Sequence, residues 1–351
     1  MKKLKVGIIG AGAISRDHCR GVTRHPDAEM AAVADLSEKR ASALQQEFGM
    51  ARAYTRWRDL VRDRELDAVV VALPNALHAP VAIAALQAGK HVLLEKPFAL
   101  SLAQAQAVVA EAKKARKVLM LGMNQRYTRD AQTVKTLVGR GDLGDIYHGK
   151  AVWLRRSGTP KFGTWFSRKK ESGGGCLLDI GVHLLDLCLF LMDQWKPAAV
   201  SGKTYGNFGR RAIGEGDWGH SDRGAFVFDV DDFATALIKF PEGQTVTLDV
   251  SWVMHQESAS RMNVELYGTE AGACVYPAKL LRFGANKGEY EVVSPQNVPI
   301  AMEHCCRQMN WVDAVLKRDK PLCTLEQALV VQRVLDAVYE SSETGREVRL
   351  R

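Results

Sequence analysis

Lys5-Val6-Gly7-Ile8-Ile9-Gly10-Ala11-Gly12-Ala13-Ile14-Ser15 is the stretch that decides the fold. Its first five residues form an apolar run that predicts a buried strand. Gly10 and Gly12 then turn the chain into a helix that carries Arg16 to Arg20. Gly10 permits the tight turn. Gly12 lets the backbone approach a pyrophosphate, whose charge is favoured by the free N–H groups and dipole of the helix start at Ala13 and Ile14. Ser15 stands where the dinucleotide fingerprint has Gly or Ala. On its own such a turn carries little weight, but a second apolar strand, 30–34, ends in Asp35, about 20 residues past Gly12, the place of the ribose-binding acid. An aspartate there accepts from both ribose hydroxyls and repels a 2′-phosphate, so NAD is expected; Lys39 and Arg40 keep NADP open. The competing role for Asp35 is a helix N-cap before Ser37-Glu38.

Outward from this unit the alternation continues. A helix over 38–48 closes at Gly49, followed by a strand at 51–54 and a helix around 57–61. The near-continuous apolar run 67–73 predicts a parallel strand covered on both faces. It ends at Pro74-Asn75, with His78 three residues on. A helix over 80–88 stops at Gly89, and the strand 91–95 runs into Glu95-Lys96-Pro97. A helix over 101–116, started by Ser101 and Gln104, precedes the strand 118–121. Six strands alternating with helices predict a doubly wound parallel sheet, an α/β class in which ligands bind beyond the carboxyl ends of the strands. Gly10, Gly12, Asp35, Pro74, Asn75, His78, Glu95 and Asn124 all fall at such ends and are the cofactor-binding candidates, with Ala13 and Ile14. Pro97 restricts Lys96 to extended geometry and so helps to set its direction. A lone lysine before a turn is nonetheless most often a solvated surface group.

The rhythm changes after residue 123, which divides the chain into a dinucleotide-binding domain, 1–123, and a second domain, 124–351. A helix over 129–138, a turn at 141–144 and a strand at 146–154 lead to Gly173-Gly174-Gly175 and the apolar stretch 176–192, expected as a buried helix. Within it Asp179 and His183 are four apart and Asp186 three further, which puts all three on one helical face. A carboxylate beside an imidazole can orient it and stabilise its protonated form, as a general base requires. A satisfied core pair is the plainer alternative. Metal ligation is disfavoured because no third spaced ligand follows. The strict alternation of 245–252, with neighbouring runs at 233–240 and 262–267, predicts a mainly antiparallel sheet with one buried face. Two helices, 302–317 and 324–341, close the chain. Trp153, Trp165, Trp218 and Trp252 could offer flat apolar surface to a sugar ring, with Arg155, Arg156 and Arg168 nearby; each tryptophan alone is more often core. The polar, glycine-rich stretch 202–224 reads as a long loop that covers the site or mediates subunit contact.

At 351 residues with 46% apolar and 25% charged content, the chain suits two globular domains and excludes a disordered or membrane class. The expectation is no transmembrane helix. The net charge of +8 comes from scattered residues, which argues against a nucleic-acid partner and leaves a mild attraction for anionic ligands. Seven cysteines without a CxxC pair support neither zinc nor a disulfide framework and point to a reducing compartment. The apolar stretch after Met1-Lys2-Lys3 is too short for a signal peptide, so a cytoplasmic location is expected.

Taken in order, Gly10-Ala11-Gly12, Glu95-Lys96-Pro97, Gly122-Met123-Asn124-Gln125-Arg126-Tyr127, the run from Gly175 through Asp179-Ile180-Gly181-Val182-His183, Asp232-Phe233-Ala234 and Ser342-Glu343-Thr344-Gly345-Arg346 resemble the glucose-fructose oxidoreductase and inositol dehydrogenase family over nearly the whole chain. The resemblance implies a Rossmann domain followed by an open, mainly antiparallel α/β domain for substrate binding and oligomerisation. It also implies catalytic roles for Lys96, Asp179 and His183 around the reacting carbon, with no metal. Arg126, Trp153, Arg155 and Trp165 are the substrate-binding candidates. The expected reaction moves a hydride between NAD, or NADP, and a secondary alcohol of a sugar, sugar derivative or cyclitol, in a homo-oligomer (dimer or tetramer). Two alternatives stay open: an NAD-dependent glycoside hydrolase acting by transient oxidation and elimination, and a non-catalytic cofactor-sensing regulator.

Overall fold

Strand–helix alternation begins at Leu4 and holds through six strands: β1 (Leu4–Ile9), α1 (Ser15–Thr23), β2 (Ala28–Ala34), α2 (Glu38–Phe48), β3 (Arg52–Tyr54), α3 (Trp57–Arg62), β4 (Ala68–Val71), α4 (His78–Gln87), β5 (His91–Leu94), α5 (Leu102–Ala115) and β6 (Leu119–Leu121). In this computed structural model, which describes residues 3–217, 226–284, 286, 288–300 and 306–350, the strands order as β3-β2-β1-β4-β5-β6 with every neighbouring pair parallel. Strand order reverses between β1 and β4, which opens the crevice between the turn after Ile9 and the turn after Val71. The central strands are covered on both faces: Val6, Ile8, Ile9, Val70 and Leu93 are wholly buried. Ser37 and Ser101 cap α2 and α5 by accepting the amides of Arg40 and Gln104, and Gly49 ends α2 at φ 63°.

The second unit is organised on a nine-stranded sheet. Its elements are α6 (Arg129–Gly139), β7 (Ile146–Arg155), α7 (Lys169–Ser172), a π turn (Leu177–Gly181) that runs into α8 (Val182–Met192), β8 (Ala199–Tyr205), β9 (Phe233–Lys239), β10 (Thr245–Ser251), β11 (Ser260–Gly268), β12 (Gly272–Cys274), β13 (Lys279–Phe283) and β14 (Tyr290–Val293); α9 (Arg307–Val315), α10 (Leu325–Thr344) and β15 (Val348–Arg349) close the chain. The order is β14-β13-β12-β11-β7-β10-β9-β8-β15, and among the described residues β7 and β10 are its one parallel strand pair. Every residue of α8 is buried, and it lies so close to β7 that a Cβ on Gly149 would come within 2.6 Å of the sulfurs of Cys188 and Met192. The stretch Lys169–Met192 is long and apolar enough to cross a membrane by length and composition, and 89% of its most apolar part is buried as a core helix.

Three expectations are corrected. Residues 304–329 group with residues 1–123 rather than with the second unit, which comprises 124–303 and 330–351. The reason is apolar: Trp311 and Val312 of α9 are wholly buried in the same cluster as Val6, Val22 and Val33. The expected loop over 202–224 is strand at its start, because Gly202 to Tyr205 pair with β9 and a Cβ at Gly202 would press on Val338 at 2.8 Å. The segment 176–192 is not one regular α-helix, since the π turn widens its first part. Trp218, Cys305, the rest of that loop from 218 on and the start of the helix expected at 302 lie outside the described residues. Cys19, Cys176, Cys188 and Cys274 are free thiols, and no metal-holding cluster occurs among the described residues.

Candidate active site

The glycine turn after β1 is built for close approach. Gly10 has φ 103°, and a Cβ there would collide with the Ala72 carbonyl oxygen; a Cβ on Gly12 would meet nothing within 4 Å. Ser15, the departure from the fingerprint, is wholly buried and its Oγ donates to the Gly10 carbonyl at 2.8 Å, so it closes the turn from inside. Asp35 accepts the Ala11 amide (2.8 Å) through Oδ2, and the Ser37 amide (2.8 Å) and Arg40 guanidinium (2.7 Å) through Oδ1. It therefore anchors the turn as well as the start of α2. Arg40 Nε also donates to Oδ1 at 3.2 Å, so that oxygen is fully taken up, whereas Oδ2 holds the Ala11 amide alone and keeps one acceptor position for a ribose hydroxyl. Ala13 is exposed and Ile14 is 41% exposed at the helix entrance. Pro74 precedes a short turn at Asn75–Leu77, whose Asn75 is buried. The buried Asn124 Oδ1 has no hydrogen-bond partner among the described residues.

His78 is not available to touch a cofactor. It is wholly buried, with Nδ1 2.7 Å from the Pro97 carbonyl and Nε2 2.9 Å from the Leu73 carbonyl. It joins the loop after β4 to the Lys96-Pro97 peptide, which is cis. Burial pulls its pKa down, while the two carbonyl acceptors favour the protonated ring. Glu95, also expected at the cofactor, is turned inward instead. Its Oε1 meets His18 Nε2 at 2.8 Å and Arg307 at 3.1 Å, and its Oε2 accepts the Lys96 amide at 3.1 Å. Arg307 and His18 hold the carboxyl well below the ordinary range despite burial, which acts the other way.

In the second unit the π turn is set by Asp231, whose carboxylate accepts the amides of Gly175 (2.7 Å) and Leu177 (2.9 Å) and the Tyr339 hydroxyl (2.7 Å). Any side chain on Gly175 would collide with the Asp231 backbone, which explains the glycine run. Asp179 leaves this turn and accepts the Trp252 indole N–H at 2.9 Å. His183, in the first turn of α8, faces Trp153 with ring centroids 6.4 Å apart, and the Arg155 guanidinium lies over that indole at 4.4 Å. Burial lowers the Arg155 pKa, with Asp179 acting in the opposite sense. Asp179, His183, Trp153 and Arg155 thus form one cluster.

Other expected partners belong elsewhere. Arg126, a substrate candidate, is wholly buried and forms a two-bond fork with Asp186 (2.8 and 2.6 Å), packed on the rings of Phe190 and Trp195. Asp186 is thereby withdrawn from the face it was expected to share with Asp179 and His183. Trp252 is wholly buried and offers no face to a sugar, and Trp165 stacks on Phe166 at 3.7 Å. Arg307, Asp231 and the indole donor of Trp252 were not singled out from sequence. Nothing local marks them, because each acts on a residue more than 50 positions away.

Residues 4–123 match the model of the oxidoreductase family with an NAD-binding Rossmann fold, and residues 131–274 match the GFO/IDH/MocA C-terminal domain. D-glucoside 3-dehydrogenase of Escherichia coli is 31% identical over 350 residues, covering 99% of this chain and 97% of the relative. The chain belongs to the GFO/IDH/MocA family of oxidoreductases. A second member, levoglucosan dehydrogenase of Pseudarthrobacter phenanthrenivorans, is 27% identical over 79% of this chain and 74% of its own. The crystal structure of GenD2 from gentamicin A biosynthesis in complex with NAD superposes with a TM-score of 0.80 at 26% identity, covering 100% of this chain and 97% of that one. The first unit is accordingly the NAD-binding domain of a GFO/IDH/MocA oxidoreductase. Its residues fit the cofactor: an open backbone at Gly12 and an anchored acid at Asp35.

Proposed function

We propose that this oxidoreductase converts a secondary hydroxyl of a glucoside or related pyranoside into a ketone, reversibly, with NAD in preference to NADP. The observation that carries the proposal is the cluster of His183, Asp179, Trp153 and Arg155, supported by the full-length similarity to a D-glucoside 3-dehydrogenase. Bound NAD supplies the acceptor for the hydride that leaves the alcohol carbon. His183 takes the hydroxyl proton, and Asp179, held by Trp252, balances the charge the imidazole acquires. From the family resemblance alone, Lys96 is assigned a charge-assisted hydrogen bond to the substrate oxygen that stabilises its developing negative charge. The Trp153 face, backed by Arg155, holds the pyranose ring and its hydroxyls. Asp35 accepts from the adenosine ribose and disfavours a 2′-phosphate. In unit 2, the exposed Tyr267, Phe283, Tyr290 and Val292 form an apolar face suited to pairing with a second copy, in a cytoplasmic homo-oligomer.

The test is a panel of glucosides, free sugars and cyclitols, with NADH and aglycone both followed. Net NADH with the glycosidic bond intact is expected. Aglycone release without net NADH would replace the dehydrogenase with a hydrolase that uses NAD catalytically, and silence across the panel would favour a regulator.

A further inference from the structure

Two glycines mark where the returning segment meets the first unit. A Cβ on Gly21 would come within 2.6 Å of the Gln308 side chain, and one on Gly122 within 3.1 Å of Glu95 Oε1 and 3.5 Å of Arg307 Nε. They make room for a network beneath the end of β5. The guanidinium of Arg307 donates to Glu95 Oε1 (3.1 Å) and to Asp17 Oδ2 (3.0 Å). His18 is satisfied as a neutral ring: Nε2–H donates to Glu95, and Nδ1 accepts from the Gln308 amide at 3.2 Å. Burial and Arg307 both press it toward that form. His18, Gln308, Arg307 and Glu95 are all at least nine-tenths buried. The other carboxylate oxygen of Glu95, Oε2, accepts the amide of Lys96 at 3.1 Å.

We infer that Arg307 is a positioning residue for Lys96, acting through Glu95. This rests on the dehydrogenase activity proposed above for the meaning of Lys96, but not for the geometry. α9 does not need the pair in order to dock. Trp311 and Val312 are wholly buried, Asp313 bonds His25 at 3.2 Å, and Arg318 reaches Asp27 at 2.7 Å. Buried ion pairs are poor sources of net stability compared with apolar packing. What the pair does is local to the strand end. It fixes the carboxylate rotamer that holds the Lys96 amide, and it neutralises a charge one residue from the lysine. Without Arg307, the Glu95 carboxylate is an unbalanced charge one residue from the Lys96 ammonium and draws it away from the substrate oxygen.

The test compares Arg307→Met and Arg307→Lys with Asp313→Asn, which removes a docking contact of the same helix without touching Glu95. Arg307→Met is expected to lower kcat roughly 30-fold with the KM for NAD within about 2-fold of wild type, and Arg307→Lys to recover part of the loss. Asp313→Asn is expected to lower the melting temperature but leave kcat within about 2-fold. Should Arg307→Met fail to fold, the Arg307→Met/Glu95→Gln pair leaves no buried charge uncompensated, and its kcat is expected to match that of Glu95→Gln alone. The second readout is independent of turnover: with lysines 13C-dimethylated, the resonance assigned to Lys96 by its loss in Lys96→Ala should shift in Arg307→Met and stay in place in Asp313→Asn. If wild type shows no sugar-dependent turnover, the proposed function falls while this resonance still decides the positioning role. An unmoved resonance, a kcat loss no larger than that of Asp313→Asn, or single-variant losses that multiply in the pair would overturn the inference.

Discussion

In the first unit a buried arginine, Arg307, shares the Glu95 carboxylate with a histidine and with the Lys96 amide; in the second, Arg126 holds Asp186 in a two-bond fork under Phe190 and Trp195. Both pairs are buried, and each has one member within three residues of a candidate catalytic group. They differ in where the carboxylate's spare acceptor capacity goes. Glu95 spends it on the backbone next to Lys96. Asp186 gives both oxygens to the guanidinium. Proximity in sequence to a catalytic residue is therefore a weak guide to function, and the second hydrogen bond of the carboxylate is a better one.

This contrast can be broken. The largest effect is expected in the second unit: Arg126→Met leaves a buried, uncompensated Asp186 and should cost about 3–5 kcal/mol of stability by denaturant titration, with the folded fraction retaining kcat within about 2-fold. A large kcat loss in protein shown to be folded would return Arg126 to the substrate site. Next, His183→Asn removes the proposed base from the adjacent turn of the same helix and should lower kcat at least ~100-fold without changing the unfolding midpoint by more than a few degrees. In the first unit, Asp35→Ala takes away an acceptor that also anchors the Ala11 amide, so NAD affinity should fall about 10-fold by titration calorimetry while NADP loses less. Equal losses for both cofactors would make Asp35 an anchor of the turn only.

The smallest effect is a pH dependence of stability. Burial lowers the imidazole pKa of His18, His78 and His91 in the fold, that of His91 to about 4. Because these values lie below the unfolded value of about 6.5, the unfolded chain binds more protons in the window between them. Stability should therefore rise with pH from about 4 to 6.5 and level off above. A melting temperature that falls across this window would contradict the neutral tautomer assigned to His18.

The first unit's fold was legible because its information is local. Strand, turn and helix signals from Lys5 to Ser15 lie within one short segment, and the apolar run after Asp67 could only be a strand covered on both faces. The strand ends followed, and with them Gly10, Gly12, Asp35 and Lys96. What the residues did not disclose was direction: Glu95 and His78 stand at strand ends but point inward, since a buried carboxylate finds Arg307 from 212 residues away and an imidazole finds two carbonyls. In the second unit the helix was visible and its π turn was not. The turn depends on Asp231 reaching back to the amides of Gly175 and Leu177, and the resulting widening detaches Asp179 from the simple four-residue spacing. Helix 307–315 was equally visible, but amphipathicity says only that a face is buried, not in which core.

The most direct test of the account is NAD reduction by a glucoside, compared between wild type and Lys96→Ala with NAD affinity measured on both. The account predicts NADH formed in step with glucoside oxidised by wild type, a loss of at least ~1,000-fold in kcat for Lys96→Ala, and NAD binding within about 2-fold. Turnover by Lys96→Ala close to that of wild type would contradict it.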